Sequence, residues 1–256
     1  MTDSMRVDLA DRRALVTGGG TGIGRAISLG LARCGAAVVV NYSRSEREAE
    51  ETVAAIRAGG GRALAARADV TEEAEVEGLV ATAIAEFGGL EILVANAGGP
   101  TGSIPTDELT SAEWDAGLDL NCKAVFYCAK HALRRLPDGT GRIIVTSSIS
   151  GRSGSAPGTI TYAAAKGAIY NMVRNWAKEC CPRGITVNAI APGIIWTRIH
   201  QRNTDPETYR ELIARIPLGR DGKPEDCVGP VLLLASDDGS FITGQTIEVN
   251  GGMQMP

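Results

Sequence analysis

The chain carries a glycine-rich turn, Thr17-Gly18-Gly19-Gly20-Thr21-Gly22-Ile23-Gly24, between a strand-like segment and a helix-like one. The apolar residues Ala14 to Val16 precede the turn, and a helical pattern from Arg25 to Cys34 follows it. Glycines let backbone N–H groups come close to a pyrophosphate, and the positive end of the following helix favours negative charge. The order of strand, glycine turn and helix therefore predicts a dinucleotide site.

The spacing of these glycines separates three kinds of phosphate loop. A loop of the G-x-x-x-x-G-K-[ST] kind would run from Gly19 to Gly24, but Arg25-Ala26 stands where a lysine and a hydroxyl are needed. The spacing G-x-G-x-x-G does not fit either. The pattern T-G-x-x-x-G-x-G does fit, with Gly18, Gly22 and Gly24 as its glycines. By itself this pattern leaves a simple tight turn open as the alternative.

Composition limits the kind of protein. The 256 residues, 44% of them hydrophobic, are enough for one large core, and we expect a single domain over residues 1–256. Because the net charge is −4 and the basic residues are scattered, no nucleic-acid partner is expected. No apolar run approaches membrane-spanning length, so we expect a cytoplasmic protein without a membrane partner. The six cysteines and two histidines show neither disulfide-scaffold density nor ligand spacing, so no metal is expected.

Strand-like and helix-like segments alternate along the chain. The strand-like runs are Ala14–Thr17, Ala37–Asn41, Ala63–Ala66, Ile92–Ala95, Arg142–Ser147, Thr186–Ile190 and Thr246–Val249. The main helical patterns are Arg25–Cys34, Ser45–Ala58, Glu72–Phe87, Ser111–Ala132 and Tyr162–Cys181, with helix starts predicted at Ser45-x-x-Glu48 and Thr110-x-x-Glu113. This alternation predicts an α/β fold, a doubly wound, Rossmann-like parallel sheet of about seven strands with helices on both faces. The segment 194–220, with a helix predicted over Pro206–Arg215, is interpreted as a lid over the crevice at the carboxyl ends of the strands.

One predicted helix carries polar side chains on its apolar face. Steps of three and four residues place Tyr162 and Lys166 in line with Ile169, Val173, Trp176 and Cys180. A buried ammonium is costly without partners, so a lysine there either extends to solvent at the helix end or has a function. The functional interpretation makes Tyr162 a proton donor or acceptor whose pKa, ordinarily about 10, is lowered by Lys166.

Asn121 and a pair of serines also interrupt apolar surroundings. Asn121 shares the apolar face of its helix with Trp114, Leu118, Val125 and Cys128, and a buried amide needs hydrogen-bond partners. It either braces a neighbouring backbone segment or takes part in the chemistry. Ser147 and Ser148 end a strand, so one hydroxyl is expected at the edge of the crevice unless the pair forms an ordinary turn.

These motifs together resemble the classical short-chain dehydrogenase/reductase family, over nearly the whole chain. The resemblance is carried by Thr17-Gly-x-x-x-Gly22-x-Gly24, Asp69-Val70, Asn96-Ala97-Gly98, Asn121, Ser148, Tyr162-Ala-Ala-Ala-Lys166 and Pro192-Gly193 followed by Thr197. It implies an NAD(P)-dependent oxidoreductase that interconverts a carbonyl and a secondary alcohol by direct hydride transfer.

The resemblance also implies a role for each matching residue. Tyr162 would be the general acid/base, and Ser148 would hold and polarise the substrate oxygen. Lys166 would bind the nicotinamide ribose and lower the tyrosine pKa, while Asn121 would brace a water that links Lys166 to solvent. The residues implied to bind the cofactor, besides Tyr162 and Lys166, are Gly18, Gly20, Thr21, Gly22, Ile23 and Gly24, Asp69 and Val70 at the adenine, Asn96, Ala97 and Gly98 at the adenosine ribose, and Pro192, Gly193, Ile195 and Thr197 near the nicotinamide.

Two departures from the family pattern are visible. The common Asn-Asn-Ala-Gly stands here as Ala95-Asn96-Ala97-Gly98. The interval from Ser148 to Tyr162 is longer, by one residue, than in many relatives. The longer interval leaves open whether Ser147 or Ser148 is the catalytic serine, and Ser148 fits the strand end and Gly151 better.

The end of the second strand bears on the choice of cofactor. Dinucleotide sites select NAD with an acid there and NADP with a nearby cation for the 2′-phosphate. The sequence is Val40-Asn41-Tyr42-Ser43-Arg44, with no carboxylate at that position. Ser43 and Arg44 suit a phosphate, which predicts NADP in preference to NAD. The alternative is a solvated Arg44 with Glu46 close enough to compete.

The expected walls of the substrate pocket are polar in part. They are Gly99–Ser103, Ser150–Pro157 and Trp196–Pro217, and they contain Trp196, Ile199, Arg152, Arg198, His200, Gln201 and Arg202. These residues favour a polar or anionic small-molecule substrate, free or carrier-bound. The layout is similar to 3-oxoacyl-acyl-carrier-protein reductases, which we prefer, and to bacterial sugar or polyol dehydrogenases. A catalytically silent dinucleotide-binding regulator is the alternative of another class.

The resemblance implies an assembly as well. Members of the family usually form homotetramers through two long helices and the C-terminal segment. Residues 241–256 end on apolar side chains, Met253 and Met255, that suit a subunit contact as well as a loose tail.

Overall fold

The computed structural model of the protein describes residues 7–197 and 206–255. Its centre is a sheet of seven parallel strands in the order β3-β2-β1-β4-β5-β6-β7. The strands are β1 (Arg13–Val16), β2 (Ala37–Tyr42), β3 (Ala63–Arg67), β4 (Ile92–Ala95), β5 (Arg142–Thr146), β6 (Thr186–Pro192) and β7 (Thr246–Val249). The seven predicted strands are confirmed, with ends that move by no more than two residues.

Helices cover both faces of the sheet, as predicted. The described α-helices are α1 (Gly22–Arg33), α2 (Glu46–Ala58), α3 (Glu73–Phe87), α4 (Ser111–Leu118), α5 (Ala124–Leu133), α6 (Ser150–Ser153), α7 (Ile160–Cys180), α8 (Pro206–Ala214) and α9 (Val228–Ala235). Short 3₁₀ turns span Cys181–Arg183, Pro224–Cys227 and Asp237–Gly239. No helix in these ranges is long and apolar enough to cross a membrane.

One local prediction about the helices differs from the structure. The single helix predicted over Ser111–Ala132 is divided by a π-helical turn, Asp119–Lys123, between α4 and α5. The helix starts predicted at Ser45 and Thr110 are confirmed, because each residue is the N-cap of its helix, and Thr110 also forms a capping box with Glu113. Ser45 has φ −99° and ψ 56°, outside the extended conformation usual for an N-cap, and makes no side-chain cap hydrogen bond.

The core lies in two layers, one on each face of the sheet. Successive residues of a strand point to opposite faces. Leu15 of β1 and Leu93 of β4 therefore pack in the layer that includes α3, α5 and α7. Their neighbours Val16 and Val94 pack in the layer that includes α1, α2 and α9. Burial on both faces explains why the central strands have nearly continuous apolar sequences.

The strand order reverses at β1, which pairs with β2 on one side and with β4 on the other. At such a point the loops that follow the two strands diverge and open a crevice at the carboxyl ends. The glycine turn follows β1, and Asn96-Ala97-Gly98 follows β4. The topology therefore brings both predicted nucleotide motifs to the same crevice.

Candidate active site

The glycine turn needs glycine for conformation at two positions and for space at a third. Gly18 has φ +60° and Gly22 has φ +50°, both in the left-handed region. A Cβ on Gly24 would stand 2.1 Å from the Gly18 carbonyl oxygen and 2.6 Å from Asn96 Nδ2. No side chain fits at Gly24, so each glycine of the T-G-x-x-x-G-x-G pattern has a structural reason.

The N-terminus of α1 carries no competing anion. Thr21, the N-cap, makes no side-chain cap hydrogen bond, and the first turn contains no acidic residue. The first N–H groups of a helix need acceptors, and its positive end attracts negative charge. Ile23 packs partly buried against the core from this turn. The cradle formed by the glycine turn and the start of α1 fits the pyrophosphate of a dinucleotide.

Gly20 packs against a neighbouring helix. A Cβ on Gly20 would lie 2.8 Å from the Cα atom of Ala49 in α2. The carbonyl of Gly20 accepts a hydrogen bond from Thr52 Oγ1 at 3.3 Å. Close approach to α2 therefore accounts for this glycine, and its contact with the cofactor stays a prediction.

Asn41 at the end of β2 anchors the glycine turn, a role that the sequence analysis missed. Its side chain is buried, and Oδ1 accepts a hydrogen bond from the Gly18 N–H at 3.2 Å. Its Nδ2 group lies 3.3 Å from the carbonyl oxygen of Tyr42, 3.2 Å from that of Ala66 and 3.1 Å from that of Ala68. The amide thus joins the turn to the ends of β2 and β3.

Thr17 and Asn96 fasten the other side of the turn. Thr17 Oγ1 accepts hydrogen bonds from the N–H groups of Asn96, at 2.9 Å, and of Ala97, at 3.0 Å. Asn96 Nδ2 donates to the Thr17 carbonyl at 3.1 Å, and Asn96 Oδ1 accepts from Thr146 Oγ1 at 3.3 Å. The predicted motifs after β1 and β4 are therefore in direct contact.

The predicted adenine side of the site gathers around Asp69. Asp69 Oδ1 accepts from Thr71 N–H at 3.0 Å and from Thr71 Oγ1 at 2.7 Å, and Ser43 Oγ donates to Oδ2 at 3.4 Å. The Thr71 bonds, helped by Ser43 and the Arg44 charge, hold the pKa of Asp69 below its ordinary value. Val70 is buried and Arg44 is exposed. Ser43, Arg44 and Asp69 therefore form one cluster at the ends of β2 and β3.

The two serines after β5 point in different directions. Ser147 is buried, and its hydroxyl donates to the Lys166 carbonyl at 3.0 Å. The Ser148 hydroxyl accepts from the Ser150 N–H at 3.1 Å and lies close enough to the Tyr162 hydroxyl to act on its pKa. Of the two alternatives, only Ser148 therefore meets the tyrosine.

Lys166 is buried behind Tyr162. It is 2% exposed, and its ammonium donates to the Thr146 carbonyl at 2.7 Å and lies 5.6 Å from the centroid of the Tyr162 ring. Burial lowers the pKa of Lys166 to about 8, against a smaller opposing effect of Cys122. Lys166 therefore does not extend to solvent, which was the alternative to a functional role.

The pKa of Tyr162 differs from the expected direction. Burial raises it above its ordinary value of 10.0, and the Ser148 hydroxyl acts in the opposite direction. The expected lowering by Lys166 is not found, because its ammonium faces the ring and donates to Thr146 rather than to the phenol oxygen. The Tyr162 hydroxyl is therefore protonated near neutral pH.

Asn121 lies in the π-helical turn and is fully buried. Its Oδ1 accepts from the Gly99 N–H at 2.8 Å, and its Nδ2 donates to the carbonyls of Gly99, at 2.9 Å, and Gly117, at 3.0 Å. A Cβ on Gly98 would stand 2.7 Å from Asn121 Oδ1 and 3.5 Å from Lys166 Nζ. The side chain braces the loop after β4, which was one of the two alternatives, and its role toward a water stays a prediction.

The segment after β6 approaches the glycine turn at the start of α1. Pro192 ends β6, and a Cβ on Gly193 would lie 2.7 Å from Asn250 Cβ. Ile195 is 4% exposed, and Thr197 Cγ2 lies 3.4 Å from where a Cβ of Gly22 would stand. Thr197 and the start of α1 therefore face each other across the crevice.

Comparison with known proteins agrees with this geometry. Residues 18–254 match the family model described as "Enoyl-(Acyl carrier protein) reductase". A 3-oxoacyl-[acyl-carrier-protein] reductase of Staphylococcus aureus is 41% identical over 249 residues, which cover 95% of this chain and 98% of the relative. The chain belongs to the short-chain dehydrogenase/reductase family.

Solved structures of the family superpose closely on this chain. A dehydrogenase/reductase from Sinorhizobium meliloti has a TM-score of 0.92 and 37% identity, covering 98% of each chain. A short-chain dehydrogenase from Burkholderia cenocepacia, solved in complex with NADP, has a TM-score of 0.90 and 35% identity, covering 97% of this chain and 99% of its own. The protein is therefore a short-chain dehydrogenase/reductase enzyme with the predicted Rossmann-like sheet.

The expected walls of the substrate pocket are described only in part. Arg198, Ile199, His200, Gln201 and Arg202 lie outside the described residues, and so does that part of the predicted lid. The ring of Tyr209 in α8 packs against that of Trp196 at a tilt of 60°, with centroids 4.6 Å apart, and its hydroxyl donates to Asp221 Oδ2 at 2.8 Å. Arg152 is not a free cation at the pocket mouth, because its Nε atom lies 3.3 Å from Glu248 Oε1.

Proposed function

We propose that this short-chain dehydrogenase/reductase reduces a ketone to a secondary alcohol, in the manner of a 3-oxoacyl-acyl-carrier-protein reductase, with NADPH. One observation carries the proposal. Ser148, which follows β5, faces Tyr162 closely enough to lower its pKa, and the buried Lys166 ammonium, bonded to the carbonyl of Thr146 in β5, lies 5.6 Å from the centroid of the tyrosine ring. These groups stand next to the loop after β4 and the glycine turn.

The chain's own residues supply the proton and hold the substrate oxygen. A bound nicotinamide dinucleotide would supply the hydride. Tyr162 is protonated near neutral pH, which is the state that a general acid needs when a ketone oxygen gains negative charge. Ser148 donates a second hydrogen bond to that oxygen. Lys166 is proposed to bind the nicotinamide ribose from its buried position beside the tyrosine ring.

Several residues would hold the dinucleotide. We propose that Gly18, Gly22 and Gly24 receive the pyrophosphate together with the start of α1. Other contacts are proposed for Gly20, Thr21, Ile23, Asp69, Val70, Asn96, Ala97, Gly98, Pro192, Gly193, Ile195 and Thr197. Asn121 is proposed to brace the loop after β4 and a water between Lys166 and solvent.

NADP is the proposed cofactor, with NAD as the alternative. No acid follows β2 directly, and the exposed Arg44 lies near Ser43 and Asp69. Glu46, which could compete for Arg44, accepts a hydrogen bond from the Tyr42 hydroxyl at 3.0 Å. The Burkholderia relative was solved with NADP, which supports the same choice.

Arg44→Ala tests the choice of cofactor. A lost contact to a 2′-phosphate weakens NADPH binding by roughly tenfold or more, since a hydrogen bond to a charged group contributes about 1.5–3 kcal/mol. NADH binding should change little, because NADH has no such phosphate. Both dissociation constants are measured by nicotinamide fluorescence, with the neighbouring exposed Arg47→Ala as control. Equal losses for the two cofactors would refute the NADP assignment.

The substrate class is proposed from the relatives rather than from the pocket. The Staphylococcus relative is a 3-oxoacyl-[acyl-carrier-protein] reductase. Arg152, one of the arginines in the expected pocket walls, is paired with Glu248 and gives no support for an anionic substrate. A sugar or polyol dehydrogenase is the second candidate, and a catalytically silent regulator is the third.

A substrate panel separates these candidates. NADPH consumption is followed with a 3-oxoacyl thioester, and NADP reduction with aldoses and polyols. Turnover of the thioester at a kcat/KM above about 10⁴ M⁻¹s⁻¹, within the usual enzyme range, supports the reductase. Turnover of sugars alone would move the proposal to the second candidate, and tight NADPH binding with no turnover on the panel would move it to the third.

The assembly, the lid and the cellular compartment also stay proposals. We propose a homotetramer, supported by apolar side chains that the chain leaves exposed, including Phe126 of α5, Phe241 and Met255. Light scattering on the purified protein tests it, and a monomer would refute it. The lid over 194–220 is supported by the contact between Trp196 and Tyr209. A cytoplasmic location stays an expectation.

A further inference from the structure

Tyr170 of α7 contacts the backbone of Ser148. Tyr170 is 5% exposed, and its hydroxyl lies 3.2 Å from the Ser148 carbonyl oxygen. The same hydroxyl lies 3.2 Å from Glu248 Oε1 in β7. The Ser148 carbonyl also accepts from the Gly151 N–H at 3.0 Å. Tyr170 therefore connects the proposed catalytic serine to the last strand of the sheet.

Arg152 of α6 completes this group from the solvent side. Its Nε atom lies 3.3 Å from Glu248 Oε1, and its guanidinium carbon lies 4.5 Å from the centroid of the Tyr170 ring. The Arg152 side chain is 31% exposed and that of Glu248 is 15% exposed. The other oxygen of Glu248 accepts from Asn250 Nδ2 at 3.3 Å. Glu248 is thus shared between a cation, an amide and the phenol.

The phenol of Tyr170 has one proton and two acceptors. A carboxylate is a stronger hydrogen-bond acceptor than a carbonyl. Without an ion-pair partner, Glu248 would therefore accept the hydrogen bond of the Tyr170 hydroxyl in preference to the Ser148 carbonyl. Arg152 neutralises the same carboxylate oxygen that the phenol faces. The ion pair therefore leaves the phenol proton available to the Ser148 carbonyl.

We propose that Tyr170 is a positioning residue for Ser148, and that the ion pair between Arg152 and Glu248 directs its proton to the Ser148 carbonyl. The inference rests on the proposed function, in which the Ser148 hydroxyl holds the substrate oxygen. That hydroxyl is itself oriented by the Ser150 N–H, from the same short helix α6 that carries Arg152. Both ends of Ser148 are thus fixed from α6, α7 and β7.

The kinetic test compares two tyrosine variants that lose the same atom. Tyr170→Phe is expected to lower kcat about fivefold, the effect of one hydrogen bond, and to leave the NADPH dissociation constant within about twofold. Tyr127→Phe, on α5 outside this group, is the matched control. Equal kcat values for the two variants would overturn the proposal.

The role of the ion pair is tested by rescue. Arg152→Gln is expected to lower kcat about as much as Tyr170→Phe, because Glu248 then attracts the phenol proton. Adding Glu248→Gln to Arg152→Gln is expected to recover most of that loss, since the neutral amide no longer competes. The loss of kcat in the double variant could instead equal the product of the losses in Arg152→Gln and in Glu248→Gln. That result would overturn the role of the ion pair, because independent packing defects combine in that way.

A measurement without substrate separates this proposal from the proposed function. NMR of protein with isotope-labelled tyrosine, assigned with Tyr162→Phe, follows the ionisation of Tyr162. Because the Ser148 hydroxyl stabilises the phenolate, its displacement in Tyr170→Phe should raise the pKa of Tyr162 relative to Tyr127→Phe. An unchanged pKa would refute positioning, even if turnover confirms the proposed function. A raised pKa would support positioning even if the substrate class proves different.

Discussion

Lys166→Met should change how the stability of the protein depends on pH. The unfolded chain takes up a proton on Lys166 below pH 10.5, its ordinary pKa, whereas the folded chain does so only below about 8. Between these values, a falling pH therefore favours the unfolded state. The contribution of Lys166 to stability is close to zero above pH 10.5 and most unfavourable below about pH 8.

The expected size follows from the same two pKa values. Because the unfolded chain binds this proton more readily than the folded one, Lys166 is less favourable for stability at pH 7 than at pH 10, by roughly 2–3 kcal/mol. Met removes this dependence. It also leaves the Thr146 carbonyl without its donor at 2.7 Å, which costs about 1–3 kcal/mol at either pH. The comparison between pH values is therefore more informative than the variant's stability at one pH.

Urea unfolding of the cofactor-free protein at pH 7 and pH 10 measures the effect. The stability of Lys166→Met relative to the natural protein should be roughly 2–3 kcal/mol more favourable at pH 7 than at pH 10. Lys178→Met, at an exposed position on the same helix, is the control and should show no such change. The measured quantity is the difference in unfolding free energy between Lys166→Met and the natural protein. If it were the same at pH 7 and pH 10, within about 0.5 kcal/mol, the explanation by a desolvated Lys166 ammonium would be refuted.

Other substitutions test the glycine turn, the two serines and the anchor at the end of β2. Gly24→Ala should abolish NADPH binding and cost about 2 kcal/mol or more of stability, whereas Gly78→Ala, with open space around it in α3, should stabilise by up to about 1 kcal/mol. Similar urea midpoints for the two would contradict the reason given for Gly24. Ser148→Ala should lower kcat about 10²-fold, while Ser147→Ala should mainly cost about 1 kcal/mol of stability; the reverse order would assign the chemistry to Ser147. Asn41→Ala should weaken NADPH binding and lower stability by about 2–3 kcal/mol, and a fully stable variant with normal affinity would show that the turn needs no anchor.

Much of the fold could be predicted because parallel strands are buried on both faces. Such strands give short, continuous apolar runs, and glycines at fixed spacing mark the turn after β1. Seven strands were therefore found, with β6 longer than predicted because Ala189–Pro192 pair along β7. Pairing between distant strands depends on tertiary structure and cannot be read from the sequence of one segment.

The missed features depend on contacts between distant segments. Asn41 binds Gly18 and the end of β3, and the available signal was one amide ending the apolar run Val38–Val40. The π-helical turn around Asn121 was missed because regular helical spacing assumes a constant period. The pairing of Arg152 with Glu248 joins residues almost a hundred positions apart, for which the sequence carries no local pattern.

The central claim is that Tyr162 is the acid in a hydride-transfer reaction at this site. The most direct measurement follows the absorbance of NADPH with a 3-oxoacyl thioester for the natural protein and for Tyr162→Phe, with NADPH binding measured in parallel. The account predicts turnover by the natural protein and a loss of about 10²–10⁴-fold in the variant, with a much smaller change in NADPH affinity. A variant that binds NADPH and turns over at the natural rate would contradict it.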